Sequence, residues 1–202
     1  MNILCACEHS QRVTEQLRFL GHNAFSCDIL PASGSMPEYH LQGDCLNYIN
    51  RGWDMIIAFP PCTYLSFAGN RHLSAPGRLE KRALAAEFFM KIINADCEHI
   101  CVENPVGYMN SVYRKPDQII NPYDFGDSFC KRTCLWLKNL PLLVPDYQLP
   151  KPDPLYVQKN GKRRHWVDYG VSGKDRQQLR SILSPGIARA MAYQFTNNFY
   201  VM

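Results

Sequence analysis

The stretch MIIAFPPC, residues 55–62, is an apolar run that stops at two consecutive prolines. A short uninterrupted apolar run of this kind is typical of a strand that is buried on both faces of a sheet. Proline fixes the backbone and lacks an amide donor, so we expect a strand over Met55–Phe59 that ends at Pro60. Similar apolar runs predict three more buried strands, at Asn2–Cys7, Ala24–Ile29 and His99–Val102.

Two stretches between these strands have helical periodicity. In Ser10–Gly21, for which Ser10 is the expected N-cap, apolar residues recur at spacings of four and three. In Gly77–Asn94 a similar stripe runs through Leu84, Phe88 and Ile92. Strands that alternate with helices imply right-handed crossovers and a parallel sheet. The sequence therefore predicts an α/β fold with a doubly wound, Rossmann-like, mostly parallel sheet.

The last third of the chain contains more loops. One further strand is expected at Thr133–Leu137, whereas Pro141–Pro154 has too many prolines for a helix. Residues 158–165 (QKNGKRRH) are expected to form a basic loop, and a helical region over Asp175–Phe195 is interrupted at residues 184–186. We expect one domain, residues 1–202, with an α/β body (1–105) and a loop-rich part (106–202).

Composition narrows the class of protein. The 202 residues are 46% apolar and carry a net charge of +4, which fits a globular domain and excludes a disordered or collagen-like chain. No apolar run is long enough for a membrane helix, and the N-terminus does not have the pattern of a signal peptide. The nine cysteines are an odd number, and their spacings do not match the common zinc sites. We therefore expect a cytoplasmic protein without a membrane partner and without a metal.

Ligands of a doubly wound sheet bind at the carboxyl ends of its strands. The first predicted strand is followed there by Cys7-Glu8-His9-Ser10, and the second ends near Asp28. An acid at the position of Asp28 can hold the ribose hydroxyls of a nucleotide-like cofactor, but a simple turn residue before Pro31 would give the same pattern. Asp44, in QGDC, is a second carboxylate at a predicted turn.

The third and fourth strands end in PPC (60–62) and ENP (103–105). The two prolines would aim the Cys62 thiol away from the strand axis, and Glu103 would lie at the end of the neighbouring strand. A thiolate beside a carboxylic acid suits covalent attack on an electron-poor ring, with the acid bonded to a ring nitrogen. The alternative is a structural cysteine in a proline turn together with a solvated glutamate, and the pairing of the two motifs favours the chemical interpretation.

These residues resemble a known family, the S-adenosylmethionine-dependent DNA cytosine-C5 methyltransferases, in particular the compact members found in phages and prophages. PPC resembles the family's nucleophile motif and Glu103-Asn104 resembles its ENV motif. Asp28 and Asp44 match the ribose and adenine contacts, Gly126–Leu137 resembles the substrate-side strand with its arginine motif, and residues 184–188 (SPGIA) resemble the final helix. The resemblance implies a sheet of the class I methyltransferase type and S-adenosylmethionine as the cofactor.

The resemblance also implies a set of site residues. The catalytic residues would be Cys62, Glu103 and Arg132. The cofactor would be bound by Cys7, Glu8, His9, Ser10, Gln11, Asp28, Ile29, Asp44, Cys45, Phe59 and Pro60. The substrate would be bound by Pro61, Ser66, Asn104, Pro105, Lys131, Thr133, Arg163 and Arg164.

The chain departs from the family pattern in three respects, one of which is that the motif around Arg132 matches the family's arginine motif imperfectly. Residues 6–11 (ACEHSQ) contain no glycine where the family has a glycine-rich loop, so we expect the backbone amides of the helix capped by Ser10 to contribute to cofactor binding. The chain also leaves only about 40 residues, around 140–173, for a target-recognition domain.

Three functions follow from the resemblance. The first is methyl transfer to C5 of cytosine in DNA, with backbone contacts and stacking from Lys159, Lys162, Arg163, Arg164, His165 and Trp166, although a solvated loop would look similar. The second is the same chemistry on a free pyrimidine nucleotide, which the short chain and the modest net charge favour. The third is an inactive nucleic-acid- or protein-binding module, against which the Cys62/Glu103 pair argues.

Overall fold

A computed structural model describes residues 1–153, 156–157, 159, 161, 163–164 and 183–197. Their central element is a seven-stranded sheet with the strand order β3-β2-β1-β4-β5-β7-β6. Its strands are β1 (Asn2–Ala6), β2 (Asn23–Asp28), β3 (His40–Gln42), β4 (Met55–Ala58), β5 (His99–Pro105), β6 (Gln118–Ile120) and β7 (Thr133–Lys138). Two short strands, β8 (Tyr156–Val157) and β9 (Arg163–Arg164), pair with each other.

The first five strands of the sheet run parallel, and β7 is antiparallel to both β5 and β6. Pairing of β4 with β5 matches Ala58 to Val102, and pairing of β5 with β7 matches Glu103 to Leu135. The carboxyl ends of β1, β2, β3, β4 and β5 therefore meet at one edge of the sheet, where the candidate residues lie.

Helices cover both faces of the sheet. The helices are α1 (Arg12–Phe19), α2 (Arg78–Ile93), α3 (Met109–Val112) and α4 (Pro185–Asn197). Helices α1 and α4 pack on one face, against Ile3, Ile57 and Leu135, while α2 and α3 pack on the other, against Ile56 and Trp136. The fold is therefore α/β with a doubly wound, Rossmann-like sheet of the methyltransferase type, and the predicted fold class is confirmed.

The predicted strands are present within a residue or two of their expected bounds, with one informative difference. Strand β5 does not end at Val102, since Glu103, Asn104 and Pro105 continue it and pair with β7. The motif ENP therefore lies inside a strand, and its successive side chains point to opposite faces of the sheet.

Two other local predictions need correction. Leu84 was expected on the buried stripe of α2 but is 58% exposed, because the buried face runs through Arg82, Phe89, Ile92 and Ile93. Arg82 lies on that face because its guanidinium donates to the Tyr64 carbonyl oxygen and to the side chain of Asn70. The predicted basic loop contains strand β9 at residues 163–164.

The orientation of α2 can be tested by a pair of substitutions. Phe89 is fully buried and makes an edge-on contact with Trp136 at 5.1 Å between ring centroids, so Phe89→Ala is expected to lower the free energy of unfolding by about 3–5 kcal/mol. Leu84→Ala, at an exposed position, is expected to change it by less than about 0.5 kcal/mol. Denaturant unfolding measures both. A large loss for Leu84→Ala would contradict the observed orientation.

Candidate active site

The turn after β1 is closed by the carboxylate of Glu8. Its Oε1 accepts from the Val13 amide at 2.6 Å, and its Oε2 accepts from the Thr14 amide at 3.2 Å and from the Thr14 hydroxyl at 2.7 Å. These amides belong to the first turn of α1, where they have no partner within the helix. Glu8 therefore caps α1, and the prediction that Ser10 is the cap is wrong.

The capping by Glu8 also changes what α1 can bind. The N-cap position is Gln11, in a left-handed conformation with φ of 57° and without a side-chain cap. Because Glu8 already occupies the amides of Val13 and Thr14, they are not open to a ligand, contrary to the expectation from the sequence. Burial raises the pKa of Glu8 to about 7, although the hydrogen bonds from Val13 and Thr14 oppose the shift.

Gln11 fixes the segment that follows β2. Its side chain is fully buried, and its Nε2 donates to the Met36 carbonyl at 2.7 Å and to the Ser26 hydroxyl at 3.1 Å. The Ser33 amide donates to the carbonyl of His9 at 2.8 Å. Glu8 and Gln11 thus bind to other residues of the protein. His9 and Ser10, which lie between them, are half-buried.

Two acids lie at the ends of β2 and β3. The carboxylate of Asp28 accepts from the Leu30 amide, and that of Asp44 accepts from the Leu46 amide, each at 3.0 Å. Asp28 is therefore a turn residue, as the alternative interpretation held. It also lies at the sheet edge where the carboxyl ends of β1 to β5 meet. Burial, Cys45, Asp28 and Asp44 together raise the pKa of the Cys27 thiol to about 12. The two acids hence share one region near Cys27.

Cys7 and Cys45 lie in the same region. Their sulfur atoms are 3.8 Å apart, and Cys45 is buried. The contact with Cys45, followed by burial, raises the pKa of Cys7 well above its usual value. Cys7 is therefore a protonated packing group at neutral pH.

Cys62 differs from most of the other cysteines in its exposure. It is half-buried, between the exposed Pro61 and Thr63, whereas six of the nine cysteines are buried. Of the two other half-buried thiols, Cys7 and Cys130, both have a raised pKa, which for Cys130 is caused by burial. A partly open position after a strand end is the setting in which a cysteine can act as a nucleophile.

Glu103 is buried on the face of the sheet that α1 and α4 cover. Burial raises its pKa, while the Lys131 ammonium and a hydrogen bond with Thr133 partly oppose the shift. Thr133 lies on the face of Glu103 because β7 runs antiparallel to β5 and alternate side chains share a face, and Lys131 precedes β7 by two residues. The structure thus brings together Glu103, Lys131 and Thr133.

Asn104 belongs to the opposite face of the sheet, where Cys134 lies. Arg132 acts electrostatically on Cys134, and Cys134 pairs with Asn104 across the two strands. Asn104 is 1% exposed, and its Nδ2 donates to the carbonyl oxygen of Pro60 at 2.8 Å. The Asn104 side chain is thus enclosed by the protein, and its expected contact with the substrate stays a prediction.

Sequence reasoning missed one feature of the site, a clamp between residues 60–67 and 104–108. The Tyr108 amide donates to the Leu65 carbonyl at 2.7 Å, and Ser66 forms a bridge with Gly107. A Cβ atom at Gly107 would come within 2.1 Å of the Leu65 carbonyl oxygen, so only glycine fits there. The sequence signal was Gly107 itself, two residues after Pro105.

The remaining predicted residues have different positions. Ile29 is 72% exposed, Phe59 is half-buried, Pro60 is buried, and Pro105 pairs with Thr133. Arg163 and Arg164 are described only as backbone of β9, and Lys162, His165 and Trp166 lie outside the described residues.

Two further findings concern the described part of the chain only. It contains no cluster of three or more His, Cys, Asp or Glu side chains arranged to hold a metal ion. None of its helices is long and apolar enough to cross a membrane.

Comparisons with known proteins give one structural likeness. No family model matches the chain, and no curated protein matches it. One matching solved structure is the crystal structure of a candidate DNA modification methyltransferase encoded within a prophage (E. coli), with a TM-score of 0.49 and 14% sequence identity. The match covers 88% of this chain and 63% of that protein. A likeness of this degree assigns neither a family nor an activity.

The burial of Glu8 predicts how stability depends on pH. The unfolded chain loses the Glu8 proton near the ordinary pKa of 4.5, whereas the folded chain keeps it up to about pH 7. The folded state therefore binds more protons between these values, and its stability falls as pH rises through this window, by on the order of 3 kcal/mol.

Glu8→Gln is expected to remove this fall, because the amide has no proton to lose and its oxygen can still accept from the α1 amides. Unfolding by denaturant from pH 4 to 8 measures the effect. Glu80→Gln, at an exposed acid in the first turn of α2, is the matched control and should retain the wild-type profile. An unchanged slope in Glu8→Gln would show that Glu8 is not the group responsible.

Proposed function

We propose that this protein transfers a methyl group from S-adenosylmethionine to C5 of cytosine in DNA through a covalent adduct with Cys62. The observation that carries the proposal is the pairing of a partly open thiol, after β4, with a buried carboxylic acid on the adjacent strand β5. Pyrimidine C5 chemistry needs these two groups, one as nucleophile and one as acid.

The ligand-binding edge fits a nucleoside cofactor without phosphates. A dinucleotide places its pyrophosphate on the free amides of the first helix, and in this chain Glu8 occupies those of Val13 and Thr14. S-adenosylmethionine has no phosphate and carries a positive sulfonium, which suits an edge with two carboxylates. Asp28 would hold the ribose hydroxyls and Asp44 would contact the adenine.

The environment of Glu103 supports its role as an acid. Its raised pKa increases the fraction that keeps a proton at neutral pH, which a group must have in order to donate to a ring nitrogen. Lys131 and Thr133 both act on Glu103, so we expect the ammonium and the hydroxyl to stabilise the charge that develops on a ring bound there.

The chemical sequence follows from these positions. The Cys62 thiolate would attack C6 of the ring and form a C–S bond, while Glu103 donates a proton to N3, which takes up the displaced electron pair. When bound, S-adenosylmethionine would supply the electrophilic methyl group that C5 accepts, with S-adenosylhomocysteine as the leaving group. N3 then returns its proton to Glu103, and loss of the C5 proton to water re-forms the C5–C6 double bond and expels the Cys62 thiolate. Cys62 and Glu103 return to their starting states and no oxidant is needed.

DNA is favoured as the substrate by the surface next to Cys62. Phe67 is 50% exposed, and the Arg78 guanidinium stacks on the Tyr64 ring at 4.8 Å from its centroid. Exposed aromatic rings and cations are groups that stack on bases and contact phosphates. The modest net charge of +4 keeps a free pyrimidine nucleotide as the second candidate.

Covalent trapping tests the proposal. A 5-fluorocytosine has no C5 proton to lose, so after methyl transfer the protein should remain joined to DNA that contains it, as a complex stable on a denaturing gel. Cys62→Ser should abolish the complex because an alcohol is a much poorer nucleophile, whereas Cys130→Ser, at another half-buried thiol, should leave it intact. Glu103→Gln should slow its formation by roughly 10²-fold.

The substrate that traps the protein separates the candidates. A complex with a fluorinated mononucleotide, and none with DNA, would transfer the proposal to the free nucleotide. Methylation without any trapped complex would contradict the covalent role of Cys62.

A further inference from the structure

The turn that carries Cys62 begins with two residues that have no amide hydrogen. Beyond Ala58, the Phe59 amide still donates to the Ala6 carbonyl at 2.9 Å, but Pro60 and Pro61 have no amide hydrogen to donate. These two residues can therefore bind to the sheet only through their carbonyl groups. The carbonyl of Pro60, a buried residue, needs a donor from elsewhere.

Asn104 supplies that donor. Its Nδ2 lies 2.8 Å from the Pro60 oxygen, and the side chain is 99% buried on the face of the sheet that α2 covers. Its Oδ1 has no hydrogen-bond partner among the described residues. An unpartnered buried acceptor is a cost to stability, so the side chain is not explained by its contribution to the core.

The residues after Cys62 are also held by hydrogen bonds. The amides of Leu65 and Ser66 donate to the Cys62 carbonyl at 3.1 and 2.9 Å, and the Leu65 carbonyl accepts from Tyr108. Gly107 allows this approach because no side chain stands between the two segments. Cys62 is therefore fixed from both sides, by Asn104 before it and by the Tyr108 contact after it.

We infer that Asn104 is a positioning residue for the Cys62 nucleophile. Its amide donates to the Pro60 carbonyl and so holds the turn against β5 where the two prolines cannot donate to the sheet, which sets the direction in which the thiol leaves β4. The inference rests on the proposed function, because Cys62 is there the attacking group. It differs from the role expected from the sequence, in which Asn104 contacts the substrate.

The test is Asn104→Leu, which keeps the size of the side chain in apolar surroundings but removes its hydrogen bond. The expected result is a loss of roughly 10²-fold in kcat for methylation of cytosine DNA, with KM for DNA and the affinity for S-adenosylhomocysteine within about twofold. Gln118→Leu is the control, since it removes side-chain amide hydrogen bonds at the far edge of the sheet, one donated to the Leu143 carbonyl at 2.7 Å and one accepted from the Leu143 amide at 2.8 Å. The control should keep kcat.

A second readout does not depend on activity. In Asn104→Leu the amides of Leu65 and Ser66 should exchange with deuterium about tenfold faster, because the turn is released, while those of β1 stay protected. Unchanged exchange of these amides, or a kcat within twofold of wild type, overturns the inference. If the wild-type protein forms no product and no adduct, the proposed function fails, and the exchange measurement alone still decides whether Asn104 holds the turn.

Discussion

The sheet edge at which β1 to β5 end depends most on one set of contacts. These are the hydrogen bonds that the Glu8 carboxylate accepts from the first turn of α1. The carboxylate satisfies two orphan amides and a hydroxyl at once, so it ties the end of β1 to the helix that covers one face of the sheet. It also removes the anion site that a helix N-terminus provides in nucleotide-binding folds of this type. What remains open at this edge is acidic, through Asp28 and Asp44, and this favours a ligand that is cationic and free of phosphate.

A second constraint is the alternation of side chains along β5. Because Glu103 and Asn104 are neighbours in an extended strand, they serve opposite faces, one toward Lys131 and Thr133 and the other toward Pro60. Lys131 and Arg132 precede β7 and act electrostatically on different groups, Lys131 on Glu103 and Arg132 on Cys134. The proposed chemical role of Glu103 and the inferred positioning role of Asn104 thus fall on opposite faces of one strand, and the catalytic role of Arg132 stays a prediction.

Much of the fold could be predicted from the sequence, because buried parallel strands are short apolar runs and helices repeat every three to four residues. The convergence of Glu8, Asp28, Cys62 and Glu103 on one edge followed from that topology. The cap of α1 could not be predicted, since a left-handed Gln11 places Glu8, and not Ser10, under the helix. The buried face of α2 was misplaced because Arg82 is buried through hydrogen bonds that hydropathy does not register. At Gly107 the backbones of two segments about 40 residues apart in sequence come into contact, and a local sequence pattern does not predict such a contact. That the cofactor is S-adenosylmethionine and that the substrate base is cytosine stay predictions.

The most direct test of the account is calorimetric titration of the protein with S-adenosylhomocysteine and, separately, with NADH. We expect S-adenosylhomocysteine to bind, Asp28→Asn to weaken that binding by about tenfold through the loss of a charge-assisted hydrogen bond, and NADH not to bind because Glu8 occupies the phosphate site. Binding of NADH together with no binding of S-adenosylhomocysteine would contradict the account at its centre.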